Sequence, residues 1–291
     1  MTATHPSARI VLSADDYALS EGVSRGILEL IGAGRLSATA VMTTIPEWPD
    51  LAPALMARRE RVAIGLHLNL TAGAPLGPMP LLAATGGLTG IRPFLIGRLG
   101  SDTAAVAEEI AAEISRQLDR FENAAGMAPD FIDGHHHVHI FPPVRAALIA
   151  ALAQRYPGRP PLVRNPGDRL DRILRRRSFA AKAAGIALHA RGLKADLAQA
   201  GLPSNDGFSG FSAFNTATPY DDELRIALRA RGPRHMMMCH PGHVDAPLSA
   251  RDSVTARREQ ELATLLIRRD VGEWVWRCRR DAGGRVLWWQ E

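Results

Sequence analysis

The sequence predicts an α/β fold of parallel β/α units in a single domain spanning residues 1–291, and three observations predict it. Short apolar runs alternate with longer stretches of helical period, the pattern of strands joined by crossover helices. The residues with most chemical potential, Asp15-Asp16, His67 and the His135–His139 cluster, fall at or just beyond the ends of such runs, the edge where barrels and open α/β sheets assemble their sites. No internal repeat or low-complexity linker divides the chain, and α/β barrels of this size commonly fold as one unit.

The elements follow in order. Arg9–Ala14 reads as a buried strand ending at Asp15-Asp16, and Ser20 as the N-cap of a helix through Ile27, Leu28 and Ile31 that stops at Gly32 or Gly34. Ala38–Thr43 is a second strand, a helix lies near Pro49–Arg58, and Arg61–Leu70 is a third strand that contains His67. Residues 71–100 are rich in Gly and Pro and form the longest irregular stretch. Val106, Ile110, Ile114, Leu118 and Phe121 make one apolar stripe of a helix over Ser101–Ala125, ended by Gly126. Asp130–Ile132 is a short strand running into Asp133-Gly134-His135-His136-His137-Val138-His139. Beyond it come a helix from about Pro143, a strand at Pro161–Arg164, a basic helical segment over about 155–200 that reads as an insertion or lid, and a helix near Tyr220–Arg231. A strand at His235–Cys239, a helix over about Ala250–Arg268 and an apolar tail ending in Val286-Leu287-Trp288-Trp289 complete the chain.

With 46% hydrophobic and 22% charged residues and a mean hydropathy of −0.07, the chain can bury a sizeable core. Cys239 and Cys278 form no C-x-x-C pair, which fits a reducing compartment and argues against zinc held by cysteines. Neither a signal peptide nor a run of about 18 apolar residues occurs, so a cytoplasmic protein without a membrane span is expected. The net charge of +5 belongs to one segment: Arg155–Lys194 holds eleven cations against Asp168 and Asp171. The overall basicity is therefore poor evidence for nucleic-acid binding, and none is expected.

Asp15-Asp16 has a plain reading as a helix cap or turn and a sharper one in a hydrolase. There one carboxylate ligates a cation while its neighbour, pointing the other way, accepts a proton from the attacking water. A lone His in an apolar strand, such as His67, is commonly a hydrogen-bonded core residue. Four imidazoles in five residues after Asp133-Gly134 have few structural uses, because burying several titratable rings without partners is costly. A metal site accounts for them better, with one or two rings as ligands and others, His137 and His139 among them, either supporting those ligands or meeting substrate. Seven of the ten histidines lie in these segments and in Cys239-His240-Pro241-Gly242-His243. Asn205–Phe211 is a glycine-punctuated loop, plain or substrate-binding through Asp206 and Phe208, and Arg164 ends a strand on the same edge. No phosphate loop and no G-x-S-x-G elbow is present, which weakens nucleotide and serine-hydrolase readings.

These motifs resemble the YdjC-like carbohydrate deacetylases, a family of chitooligosaccharide and hopanoid-associated deacetylase types. The resemblance rests on Ala14-Asp15-Asp16-Tyr17, Gly65-Leu66-His67-Leu68-Asn69-Leu70-Thr71, Asp133–Pro142 and Met238-Cys239-His240-Pro241-Gly242, in the family's order over about residues 10–245. It implies a distorted, TIM-barrel-like (β/α) barrel, one divalent metal held by Asp16, His67 and His135, Asp15 as general base, and His240 as the group that protonates the leaving amine or stabilises the oxyanion. The implied activity is hydrolytic removal of the N-acetyl group of an amino sugar, with an N-acetylated sugar or glycolipid as partner; peripheral membrane contact and a homodimer are both compatible with it. Zn²⁺ suits two His and one Asp, while Co²⁺, Mn²⁺, Ni²⁺ and Mg²⁺ fit with additional waters. One departure is that the first motif usually reads Asp-Asp-Phe-Gly, where this chain has Tyr17-Ala18; the turn loses its glycine and Tyr17 adds a hydroxyl near the site. The competing readings are another single-metal amidohydrolase or phosphoesterase, and a non-catalytic anion- or nucleic-acid-binding protein whose Arg-rich segment 155–194 makes the contact.

Overall fold

The structure, a computed structural model, describes residues 9–177 and 179–289. Seven strands, β1 Val11–Tyr17, β2 Ala38–Val41, β3 Ala63–Leu68, β4 Phe131–Gly134, β5 Leu162–Val163, β6 Gly207–Ser209 and β7 His235–Cys239, form one sheet in the order β5-β4-β3-β2-β1-β7-β6. Every pairing in it is parallel. The sheet curls into the distorted (β/α) barrel that was expected, with helices on its outside. Its seam lies between β5 and β6 and is tied by the Val163–Ser204 bridge and by Asn205, whose side chain accepts from Asn165 N at 2.7 Å and donates to Asn165 O at 2.8 Å.

Two apolar clusters divide the strand residues by the period of two that a pleated strand imposes. Val11, Ala38, Ala40, Ala63, Phe131, Leu162, Phe208, Met236 and Met238 pack together inside the barrel. Leu12, Ile64, Leu66, Ile132, Val163 and Met237 pack outward under the helices. The interior is narrow: a Cβ on Gly65 would lie 2.6 Å from the Phe131 ring, so only glycine admits that ring there. Trp276, Cys278, Val286 and Trp288 join the inner cluster, and Trp288 meets Phe131 edge to face, so the apolar tail plugs the N-terminal end of the barrel.

Continued upward, the inner rows end in polar residues at the carboxyl edge. Val11-Ser13 leads to Asp15, Ala63-Gly65 to His67, Phe131 to Asp133, Leu162 to Arg164, and Met236-Met238 to His240. The strand period thus gathers five functional side chains above one plug of apolar residues.

The expected N-caps are largely where the composition put them: Ser20 Oγ accepts from Val23 N at 3.2 Å ahead of the helix Glu21–Gly32, and left-handed Gly126 ends the helix Thr103–Ala125. That helix starts from Asp102, whose carboxylate accepts from Ala105 N, and not from Ser101. The Asn205–Phe211 loop is in fact the approach to an interior strand, because its Gly207-Phe208-Ser209 core is too short to show alternation. The basic segment is helical, as Leu170–Arg176, Ala180–His189 and Leu193–Gln199, between β5 and β6. The single helix expected over 250–268 is two, Ala246–Arg251 and Ala256–Ile267. Among the described residues, no helix is long and apolar enough to cross a membrane.

Candidate metal centre and active site

The first strand ends in an irregularity that presents both acids. The pairing of β1 with β2 shifts register between Ala14 and Tyr17, Asp16 takes φ 69° and Ala18 φ 75°, and Ala18 N donates to Ser24 Oγ at 3.0 Å. Neither aspartate is exposed, and their carboxylates diverge. Asp16 Oδ1 lies 3.2 Å from His67 Nε2 and 3.1 Å from His135 Nδ1, while its Oδ2 accepts from Arg258 at 2.7 Å. Asp15 instead takes both arms of the Arg164 guanidinium, at 2.7 and 3.0 Å, and its Oδ2 is 3.9 Å from His240 Nε2.

The histidine cluster spreads its rings because the chain turns left-handed twice. His136 and His137 have φ of 53° and 57° inside a 3-10 turn over His135–Ile140, so successive side chains diverge. His135 reaches Asp16; His136 turns to the rim, where its Nδ1 is 3.0 Å from Thr71 Oγ1. His137 sits edge to face against Phe208 and Phe211 with its Nδ1 unpaired among the described residues, and His139 Nε2 donates to Arg164 O at 2.7 Å.

Electrostatics favour a cation beside Asp16. Burial works against the charge of Asp16, but Arg258 chiefly, then His135 and His67, holds its carboxyl well below the usual range. Burial alone would push His67 down as well; the Asp133 carboxylate, 2.6 Å from Nδ1, with Asp16 and Asp15, drives it up to about 10. Burial pushes His240 down to about 4 against the pull of Asp15 and Asp16, so its ring rests neutral. Asp16, His67 and His135 bring their ligand atoms within 4.8 Å of one another. The 3.1–3.2 Å spacings from Asp16 Oδ1 suit donors that share one ion at bonds of about 2.0–2.2 Å. The second ring nitrogen of His67 is oriented by Asp133, the support such ligands commonly receive. The residues present therefore fit a divalent metal.

A second group, Asp15, His67 and Asp133, has the same ligand types. Arg164 fills it: one guanidinium nitrogen lies 2.7 Å from Asp15 and 2.7 Å from Asp133, and its side chain is 0% exposed. This corrects the expectation for Arg164, which is a buried counter-ion beneath the site and not a substrate contact. Phe208 is likewise wholly buried, its ring 5.4 Å under Arg164, and His139 is buried beside the same residue. Asp206 lies at the opposite, amino-terminal end of β6, paired with Lys194 and Arg234. Of the five residues expected at substrate, only His137 borders the site. Tyr17 also turns away, its hydroxyl donating to Leu51 O at 2.9 Å.

The basic segment is mostly neutralised internally. Arg155 pairs with Asp119 and Glu122, Arg172 with Asp168, and buried Arg176 donates to Phe208 O, Arg229 O and Ala230 O besides Asp168. Arg175 is 71% exposed. The adjacent arginines 175 to 177 are thus divided between core and solvent, as a helix requires.

Sequence reasoning missed Asp133, Arg258, Glu261 and Phe214. Asp133 lay in a recognised motif and two residues after Phe131, so strand alternation was the available signal. Glu261 accepts from His240 N at 2.5 Å and Phe214 meets the His240 ring edge to face at 4.9 Å; neither stands in any pattern.

A model of the YdjC-like protein family matches residues 9–273. A chitooligosaccharide deacetylase from Proteus mirabilis is 30% identical over 248 residues, 82% of this chain and 83% of that protein. A carbohydrate deacetylase from Homo sapiens is 30% identical over 259 residues, 84% of this chain and 78% of that protein. A solved structure from Enterococcus faecalis, described as a cellobiose-phosphate cleavage protein, shares the fold at a TM-score of 0.68 and 21% identity, over 91% of this chain and 92% of that one. With its motifs gathered at one barrel edge and the family model running from β1 past β7, the chain belongs to the YdjC-like protein family.

Proposed function

We propose that this chain is a metal-dependent deacetylase that hydrolyses the N-acetyl group of an amino sugar and releases acetate. One observation carries the reading. A single three-donor set, Asp16, His67 and His135, stands next to an acid, Asp15, and an imidazole, His240, that are not needed to hold the ion. The relatives named as chitooligosaccharide and carbohydrate deacetylases support the sugar class. A divalent cation in that set would supply Lewis-acid polarisation of the acetamide carbonyl and lower the pKa of the attacking water.

The chain's own groups then divide the remaining work. Asp15, outside the three-donor set and fixed by Arg164, accepts the proton of the attacking water. His240, neutral and opposite it, donates a ring N–H hydrogen bond to the oxyanion, and the proton that Asp15 has taken from the water passes to the departing amine as the C–N bond breaks. His137, with its free Nδ1 and its aromatic neighbours, is the remaining candidate for contact with the sugar. A two-metal phosphoesterase is disfavoured because Arg164 occupies the second donor group. A nucleic-acid-binding role is disfavoured because the cations of 155–194 are largely paired within the fold.

The test is acetate release from N-acetylated mono- and oligosaccharides, nucleotide sugars and glycolipids, with and without chelator, in the wild type and in Asp16→Ala, His67→Ala and His135→Ala. Each substitution is expected to remove metal and activity together. Chelator-resistant activity, or stoichiometric metal in all three variants, would refute the proposal.

A further inference from the structure

The helix Ala256–Ile267 packs outside the barrel against Glu21–Gly32 and Tyr220–Ala227, a place where apolar side chains would serve. Its first turn and a half instead buries three ionisable residues, Arg257, Arg258 and Glu261, each 1% exposed. Taking charges out of water is expensive, and apolar residues of similar volume commonly stabilise a fold as well or better. Stability alone therefore gives little reason for them. What they reach gives a better one.

Arg258 donates to Asp16 Oδ2 and to Asp252 Oδ2, both at 2.7 Å, and its Nε donates to Val254 O at 3.0 Å. Its own carbonyl accepts from Gly242 N at 3.2 Å, in the turn that follows His240. One turn on, Glu261 Oε2 accepts from the backbone N of His240 at 2.5 Å. Just before Arg258, Arg257 pairs with Glu223, donates to Thr218 O at 2.7 Å and lies over the Tyr220 ring, which fixes the helix to the segment after β6.

We infer that Arg258 and Glu261 are positioning residues through which one rigid helix sets the metal ligand Asp16 and the imidazole of His240 at a fixed separation. Arg258 occupies Oδ2 of Asp16, which leaves Oδ1 to face His67 and His135. Glu261 holds the backbone at the end of β7, which aims the His240 ring at Asp15. The two act on different quantities: Arg258 on metal binding, and Glu261 on turnover by loaded enzyme. The inference rests on the deacetylase reading for its catalytic half and not for its metal half.

The experiment measures metal affinity by competition with a chromophoric chelator using Zn²⁺, kcat and KM per metal-loaded site, and amide hydrogen exchange at His240. Arg258→Met is expected to weaken Zn²⁺ binding by about 10–100-fold, the usual cost of removing a partner that orients a ligand, with activity lost at limiting Zn²⁺ largely regained as Zn²⁺ is raised to saturation. If Arg258→Met does not fold, Arg258→Lys, which lacks the fork that spans Asp16 and Asp252, is read for the same direction of change. Glu261→Asp withdraws the acceptor by one methylene; it is expected to leave Zn²⁺ affinity unchanged, lower kcat by about tenfold or more at similar KM, and speed exchange at the His240 amide. Glu261→Gln keeps an acceptor oxygen and is expected to restore kcat to within about threefold. Wild-type Zn²⁺ affinity in the Arg258 variant, or wild-type kcat in Glu261→Asp, would overturn the inference. If the wild type releases acetate from no sugar, the deacetylase reading fails, while Zn²⁺ affinity and His240 exchange still decide the roles of Arg258 and Glu261.

Discussion

Arg164→Met tests whether the most buried cation of the site is a counter-ion or a substrate contact. The guanidinium lies 2.7 and 3.0 Å from the Asp15 oxygens and 2.7 Å from Asp133, with none of the three side chains more than 2% exposed. At an effective dielectric of about 20, each charge pair about 4 Å apart is worth about 4 kcal/mol. Two such pairs, less the several kcal/mol spent on desolvating the guanidinium, leave a loss of about 3–5 kcal/mol when it is removed. The sign with pH follows from the two carboxylates left behind. With Arg164 gone, His67, 2.6 Å from Asp133, is the cation that remains beside them, and the surplus negative charge is relieved by taking up a proton, so the folded variant binds protons where its unfolded chain has released them. Its deficit against wild type must then shrink as the pH falls. Urea unfolding of both proteins at pH 8 and pH 5.5, each with chelator present so that metal binding does not add to stability, measures this directly. A deficit below about 1 kcal/mol, or one that widens on acidification, would refute the counter-ion argument. A raised KM in a variant of unchanged stability would return Arg164 to the substrate.

Three further outcomes are expected. Asp15→Asn should retain one metal per chain and lose roughly 10²–10⁴-fold in rate, and near wild-type turnover would mean that another group is the base. Burial holds His235 down to about 3, so its neutral form is bound in the fold while the unfolded imidazole charges near 6.5. A depressed folded value gives stability that is present above about 6.5 and lost as the pH falls towards 3; the loss at pH 5 is about 2 kcal/mol, and His235→Gln should lose that much less between pH 7.5 and 5 by urea unfolding. Ala18 stands at φ 75°, where glycine carries no Cβ penalty, so Ala18→Gly should stabilise by about 0.5–1 kcal/mol after the entropy of the freer unfolded chain is counted; a destabilised variant would show that Ser24 and its neighbours leave no strain there.

The barrel and the gathering of Asp16, His67 and His135 were legible in the sequence for a local reason. Asp16, His67 and His135 each follow an apolar run, and both the run and the ligand type are visible within a few residues. The expected substrate contacts fared worse because they were placed by edge alone. Arg164 does end β5 at the right edge, but period two turns it into the barrel, and Leu162 already marked that direction. Phe208 and Asp206 were read from glycine content, which does not distinguish a surface loop from a three-residue interior strand. Tyr17 was expected near the site, yet the bulge that frees Asp16 sends it outward to Leu51 and Trp48. Arg258 and Glu261 were beyond reach in principle, since on a helix sequence they look like an ordinary solvated face; their partners are 242 and 21 residues away.

On the proposed function, charge balance would favour one ion at this edge over two. Four carboxylates, Asp15, Asp16, Asp133 and Asp252, face two buried guanidiniums, Arg164 and Arg258, so about two negative charges are left over before any histidine titrates. That residue of charge is what raises His67 to about 10, since a proton on its ring is the available compensation. A divalent ion shared by Asp16, His67 and His135 would take the place of that proton and match the deficit. A second ion would have to displace Arg164 from between Asp15 and Asp133, where a guanidinium already meets three oxygens within 3.0 Å. Arginine suits that post because its charge cannot be lost near neutral pH and its planar fork spans both acids. On the proposed reading, the cation that fills the second donor group would also hold Asp15 apart from the ion, the separation of ligand from base that single-metal hydrolysis needs.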